Sequence, residues 1–147
     1  MVYLVDTNIL IRLSDRRDPN HQIARTALKK LRGEGHQLHI SPQNCAEFWN
    51  VITRPAERNG LGFTPENADR VLKLMERLFS LLEDVPEVYS EWRRLVVDNN
   101  VSGVQVHDAR LVATMKTHEI THILTFNTPD FVRYAQIGIV AVHPNTV

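Results

Sequence analysis

Four short stretches of this chain set an acid or amide side chain against an apolar run: Asp6 in LVDTN, Glu47 in SPQNCAEFWNVITRP, Asp108 in HDARLVATM, and Asn127 with Asp130 in LTFNTPDF. Each has an ordinary explanation. Asp6 can cap the helix that follows it. Glu47 can be a surface acid paired with a neighbouring arginine. Asp108 lines up with Val112 and Met115, an inward-facing helical row, where a carboxylate either caps the first turn or needs a partner against desolvation. Asn127 and Asp130 sit in turn-forming company. Together they allow something else. Three or four carboxylates brought to one place repel each other unless protons or cations neutralise them. A site of oxygen ligands only suits Mg²⁺ or Mn²⁺. The chemistry of such a site is metal-assisted hydrolysis of a phosphodiester by an ion-activated water.

Whether the four regions meet depends on the elements that carry them. Val2–Val5 reads as a strand, followed by a short helix with Ile9, Leu10 and Leu13 on one side. Asp18-Pro19 predicts a helix start, with Ile23, Ala24, Ala27, Leu28 and Leu31 as its apolar face, ended by Gly33 and Gly35. Gln37–Ile40 is a second strand. Ser41-Pro42 then caps a helix with Cys45, Phe48, Trp49 and Ile52 on one stripe, ending near Pro55. Glu47 lies beside that stripe, on one side with Asn44, Val51 and Arg54. Asn59-Gly60 marks a turn. Thr64-Pro65 opens a helix whose stripe runs Ala68, Val71, Leu72, Met75, Leu78, Phe79 and Leu82. Leu81–Val85 is a weaker strand. Pro86 starts a helix with Val88, Trp92, Leu95 and Val96 inward, and another runs from about His107 to Lys116. Ile123–Phe126 and Ile139–Val142 are the last strands.

Strands separated by helices form βαβ units and a mostly parallel sheet covered on both faces, here one domain over residues 1–147. Functional groups in such sheets gather beyond the carboxyl ends of the strands. Asp6 and Asn127 follow strands, and Glu47 and Asp108 lie near helix starts, so one edge of the sheet is their expected meeting place.

The chain has 147 residues, 17 basic and 17 acidic side chains, and an apolar fraction of 43%, which is a globular composition. Zero net charge argues against binding nucleic acid by bulk charge alone. It leaves room for an acidic site beside a separate basic rim; the clusters Lys29-Lys30-Arg32, Arg54/Arg58 and Arg93-Arg94 are candidates for it, though solvated helix faces are their more ordinary reading. One cysteine and no membrane-length apolar run fit a cytoplasmic protein. The seven histidines show no compact ligand spacing for zinc. His107 is read as a capping or surface residue, Cys45 as a buried inert thiol, and Trp49 and Trp92 as core or interface residues. Arg54, two turns along from Glu47 on the same side, is a candidate for holding a scissile phosphate.

The four quoted stretches resemble, in order and spacing and over nearly the whole chain, the motif regions of the PIN domain. More narrowly they resemble the VapC-type toxins of bacterial and archaeal toxin–antitoxin pairs. The resemblance implies a three-layer α/β/α sandwich and a divalent-metal-dependent endoribonuclease using Mg²⁺ or Mn²⁺. It also implies an RNA substrate, a cognate antitoxin protein that blocks the site, and a homodimer. Carried onto this chain, it makes Asp6, Glu47 and Asp108 the first three acidic metal-site residues. The fourth position falls in TFNTPDF, where Asn127 fits best and Asp130 matches the acid before the aromatic. Thr7 and Asn8 match the small polar pair after the first acid, and Thr125 serves as a supporting hydroxyl.

Two other functions compete. Asp6 could be a phosphoryl-accepting nucleophile after the first strand. The second acid of a phosphatase-like pair is here Asn8, however, and the lysine of a receiver domain is missing at Thr125-Phe126-Asn127. A catalytically silent binding module on the same fold is the other alternative, suggested by net neutrality and by Asn127.

Overall fold

The computed structural model describes residues Met1–Val147. Five strands form one sheet: β1 (Val2–Val5), β2 (Gln37–Ile40), β3 (Ser80–Leu81), β4 (His122–Leu124) and β5 (Val140–Val142), in the order β3-β2-β1-β4-β5. Every neighbouring pair is parallel, so the sheet is wholly rather than mostly parallel. Six α-helices cover it: α1 (Thr7–Ser14), α2 (His21–Gly33), α3 (Pro42–Thr53), α4 (Pro65–Leu78), α5 (Glu87–Asp98) and α6 (Val106–Thr117). A 3₁₀ stretch spans Thr128–Ile137.

Alternation along β1 makes the three layers. Tyr3 and Val5 point into one core with Ile9, Leu28, Phe48, Ile52 and Met75, which come from α1 to α4. Leu4 points the other way, into a second core with Leu95, Leu111, Met115 and Tyr134 from α5, α6 and the 3₁₀ stretch. Both cores are closed, with Phe48 at 0% and Tyr134 at 1% exposure. Burying side chains of this size stabilises the fold by roughly 1.5–3 kcal/mol each. No helix is long and apolar enough to cross a membrane.

Four boundaries differ from the sequence expectation. The helix expected from Asp18-Pro19 begins at His21. The Asp18 carboxylate instead accepts from the Asn20 amide at 2.8 Å and pairs with Arg12 at 3.3 Å, closing a turn before the helix. The strand expected at Leu81–Val85 is only Ser80–Leu81. Its helix runs on to Leu78, and the Leu82 amide makes the last link, to the Ile40 carbonyl at 2.8 Å. The strand expected at Ile123–Phe126 spans His122–Leu124, and the last one starts at Val140. Ser41 and Thr64 cap α3 and α4 as the Ser-Pro and Thr-Pro pairs predict.

β1 lies where the strand order reverses: β2 continues on one side and β4 on the other. The carboxyl ends of β1 and β4 therefore sit side by side at the crevice such a reversal opens. The Asp6 amide donates to the Leu124 carbonyl, and the Thr125 amide to that of Val142, both at 3.0 Å.

Candidate active site

Asp6 combines both roles that its sequence position allowed. It is the N-cap of α1, accepting from the Thr7 amide at 2.8 Å on Oδ1. Its Oδ2 accepts from the Thr125 hydroxyl at 2.7 Å and from Asn8 Nδ2 at 3.2 Å. Thr125, fully buried, takes bonds from Asn8 Nδ2 and from the Asn127 amide, which fixes the hydroxyl that Asp6 receives. Asn8 closes the loop by accepting from the Phe126 amide at 3.1 Å. The β1–α1 and β4 corners are thus locked together around one carboxylate.

Glu47 enters from α3. Its Oε2 accepts from the Thr7 hydroxyl at 2.7 Å and its Oε1 from Gln43 Nε2 at 2.7 Å. Thr7 is held in turn by Asn44 Nδ2 at 3.1 Å. The Asn44 carbonyl oxygen accepts from the amide and hydroxyl of Ser41, so the capping box that starts α3 also anchors the acid site.

Asp108 is in the first turn of α6 and Asp130 in that of the 3₁₀ stretch. The charge of Asp130 acts on Asp6, and that of Asp6 on Asp108. Burial raises the Asp6 carboxyl to about 6, against the donors Thr125 and Thr7, with Glu47 and Asp130 adding to the rise. Burial likewise raises Asp108 to about 7, and Asp6, Asp130 and Glu47 push further while Arg133 opposes them. Arg133 donates to Gln105 Oε1 at 2.8 Å, and its Nη1 is buried without a partner.

The structure therefore brings Asp6, Glu47, Asp108 and Asp130 within electrostatic reach of one another, with Thr7, Asn8 and Thr125 as the donors between them. No three His, Cys, Asp or Glu side chains stand close enough to form a ready cage for a cation. Asn127 contributes backbone: its amide bonds Thr125 and its carbonyl receives the Asp130 amide at 3.1 Å, while its side chain is exposed. Arg54 lies at the far end of α3 and its guanidinium meets the Arg58 carbonyl at 3.4 Å rather than an acid. There Gly60 packs so tightly on the Arg54 backbone that a Cβ would collide with it. The His107 ring is exposed, and its carbonyl accepts from Gln43. Cys45 is half-buried against the first core rather than fully enclosed, and burial raises its thiol. Trp92 is half-buried and donates to the Val106 carbonyl at 2.9 Å.

Gln43 and Arg133 escape a search for acids because neither is one. The four-residue step from Gln43 to Glu47 on a helix was the available clue for the first. For Arg133, which approaches Asp108 from the 3₁₀ stretch, the sequence offers none.

The family model of the PIN domain matches residues 3–137. No curated protein matches the chain. Solved structures do. VapBC-1 from nontypeable Haemophilus influenzae superposes with a TM-score of 0.71 at 16% identity, covering 98% of each chain. FitAcB from Neisseria gonorrhoeae gives 0.66 at 20% identity and 100% of each chain. VapC20 from Mycobacterium tuberculosis, a sarcin-ricin loop cleaving toxin, gives 0.64 at 16% identity, covering 97% of this chain and 98% of that one.

Proposed function

The chain belongs to the PIN domain family, and from that premise we propose that it is a divalent-metal-dependent endoribonuclease, the toxin of a toxin–antitoxin pair. The observation that carries this reading is the convergence of four acids at the carboxyl edge of the sheet. Asp6 and Glu47 are held by Thr7 and Thr125, and Asp108 and Asp130 lie in the first turns of neighbouring elements, near enough for burial and shared charge to raise Asp6 and Asp108. Neutral donors hold Asp6 and Glu47, and the one cation acting on Asp108 is Arg133. Such a cluster is short of positive charge, and its donor atoms are all oxygen. Both properties fit Mg²⁺ or Mn²⁺.

Asp6, Glu47, Asp108 and Asp130 would hold the ion. When bound, it supplies Lewis acidity toward a phosphodiester oxygen and lowers the pKa of water. The chain's own residues do the rest. The Thr7 and Thr125 hydroxyls each fix one oxygen of Glu47 and Asp6, and Gln43 and the Thr7 amide hold the other, so both carboxylates are set in orientation. Burial and the neighbouring acids raise Asp108 to about 7 without an ion, so holding one would displace its proton and bind more tightly as pH rises. Asp130 fills the fourth acidic place on this reading, because its charge bears on Asp6 and Asp108 while Asn127 supplies backbone bonds.

A partner polypeptide belongs to the same proposal, since a similar solved structure, from Klebsiella pneumoniae, is a toxin–antitoxin complex. A groove of about 460 Å³ between the end of α1, α2 and α4 suits an acidic amphipathic helix. Its floor includes Leu74 and Leu78, 48% and 38% exposed, and its rim carries Arg16, Arg25, Lys29 and Arg32. The site of action is then wherever the cell's RNA is, the cytoplasm.

The test is cleavage of structured RNA by the purified protein with Mn²⁺ or Mg²⁺, with Asp6→Asn in parallel. Metal-dependent cleavage by the wild type alone supports the proposal, and equal cleavage by both proteins overturns it. An adjacent short reading frame encoding a DNA-binding partner supports the toxin assignment. A wild type that binds no Mn²⁺ at millimolar concentration favours a catalytically silent module.

A further inference from the structure

We propose that Gln43 is a positioning residue of the acid site, clamping the helix that carries Glu47 to the helix that carries Asp108. This rests on the metal-dependent reading above. The side-chain amide of Gln43 reaches three partners on two elements. Its Nε2 donates to Glu47 Oε1 and to the His107 carbonyl, both at 2.7 Å, and its Oε1 accepts from Arg110 Nη1 at 3.1 Å. An arginine can only donate, so the bond from Arg110 dictates which end of the amide is oxygen. Both hydrogens of Nε2 are then committed, one to the catalytic acid and one to the backbone beside Asp108. The orientation is fixed by valence as well as by packing.

Arg110 is itself set from the other side by Asp84, 3.8 Å from its Nη2, in the loop after β3. A continuous polar chain therefore runs Asp84, Arg110, Gln43, Glu47, Thr7 and Asn44, crossing from α6 to α3 and on to α1. Glu47 is gripped on both oxygens, by Gln43 and by Thr7. The first turn of α6 is gripped on successive carbonyls, Val106 by Trp92 and His107 by Gln43. Asp108 is the next residue. Apart from the charges they share, Gln43 is what couples the placement of Glu47 to that of Asp108. Its action passes through those two acids rather than through substrate. Losing an oriented outer-shell partner of this kind typically costs about 10–100-fold in metal affinity or activity.

The experiment compares wild type, Gln43→Met, Arg110→Met and the double variant by calorimetric titration of the metal-free proteins with Mn²⁺, by melting temperature, and by RNA cleavage. Gln43→Met keeps length and bulk but cannot bridge. It is expected to weaken Mn²⁺ binding about 10-fold or more, and to lower kcat while leaving KM for RNA unchanged. Arg110→Met is expected to lose less, and the double variant no more than Gln43→Met, because Arg110 acts through the amide. Unchanged Mn²⁺ affinity and kcat in Gln43→Met overturn the proposal, as do fully additive losses in the double variant. If Gln43→Met fails to fold, Arg110→Met decides alone: intact Mn²⁺ affinity and kcat overturn the clamp. A wild type that binds no Mn²⁺ removes the metal reading itself, a failure distinct from a variant that behaves like wild type.

Discussion

The acid edge of the sheet and the groove between α1, α2 and α4 are made of opposite materials. At the edge, carboxylates converge and are held by short neutral side chains, Thr7, Asn8 and Thr125. In the groove, long cations stand around an apolar floor, and Arg32 lies over the Phe79 ring at 5.2 Å. A net charge of zero hides this separation, because the 17 acids and 17 bases cancel in the sum and not in space. The difference also tracks what each region can bind. A small hard ion needs a few oxygens fixed in direction, which buried hydroxyl donors provide. A polypeptide needs area and tolerant charges at the rim, which exposed leucines and flexible arginines provide.

The largest expected effect comes from breaking the edge at its centre. Asp6→Asn removes a charge and an oxygen acceptor from the carboxylate on which β1, α1 and β4 converge. RNA cleavage with Mn²⁺ should fall by about 10²–10⁴-fold, measured as the initial rate on a defined oligonucleotide. A loss under threefold would move the reacting centre away from this edge.

Breaking the groove comes next. Leu78 is 38% exposed, so Leu78→Glu can be accommodated by the fold while placing an acid on the floor that an acidic helix would cover. Affinity for a partner copurified from the adjacent reading frame should fall about 10–100-fold, read by surface plasmon resonance. An unchanged affinity would mean that the partner docks elsewhere.

The edge can also be perturbed without touching an acid. Thr125→Val preserves shape at a position with no exposure and deletes the hydroxyl that donates to Asp6. Mn²⁺ affinity should drop about 10-fold, within the range for outer-shell partners. Equal affinity would show that the Thr7 amide and Asn8 suffice to orient Asp6.

What the sequence made legible follows the same division. The strands β1 and β2, the Ser-Pro and Thr-Pro caps, and the placing of Asp6, Glu47 and Asp108 at one edge all depend on local patterns: periodicity, capping residues and the parallel-sheet rule. The groove was not legible as a groove. Leu78 lies on the same apolar stripe as Met75, yet Met75 is buried in the fold and Leu78 is left 38% exposed. The clamp through Gln43 was equally hidden, since it joins residues 64 and 67 positions apart, from helices on opposite faces of the sheet. Asp130, next to Asn127 in a turn-rich stretch, becomes distinguishable only through its charge acting on Asp6 and Asp108.

The smallest effect is in pH, and it has a definite sign. Asp6 and Asp108 start from 3.8 in the unfolded chain and are raised to about 6 and about 7 in the fold. Between those limits the folded state holds more protons than the unfolded one, so stability is present at low pH and is lost as pH rises through the folded values. The metal-free protein should therefore melt a few degrees higher at about pH 5 than at about pH 8. Most of the decline should be over by about pH 7.5, and Asp108→Asn should remove its upper part. Added Mn²⁺ should reverse the slope, because an ion that binds the ionised carboxylates competes with their protons and stabilises more strongly as pH rises. A melting temperature that rises from pH 5 to pH 8 without metal would mean that burial does not raise these two carboxyls, and the contrast between an acid-rich edge and a cation-rimmed groove would lose its physical basis.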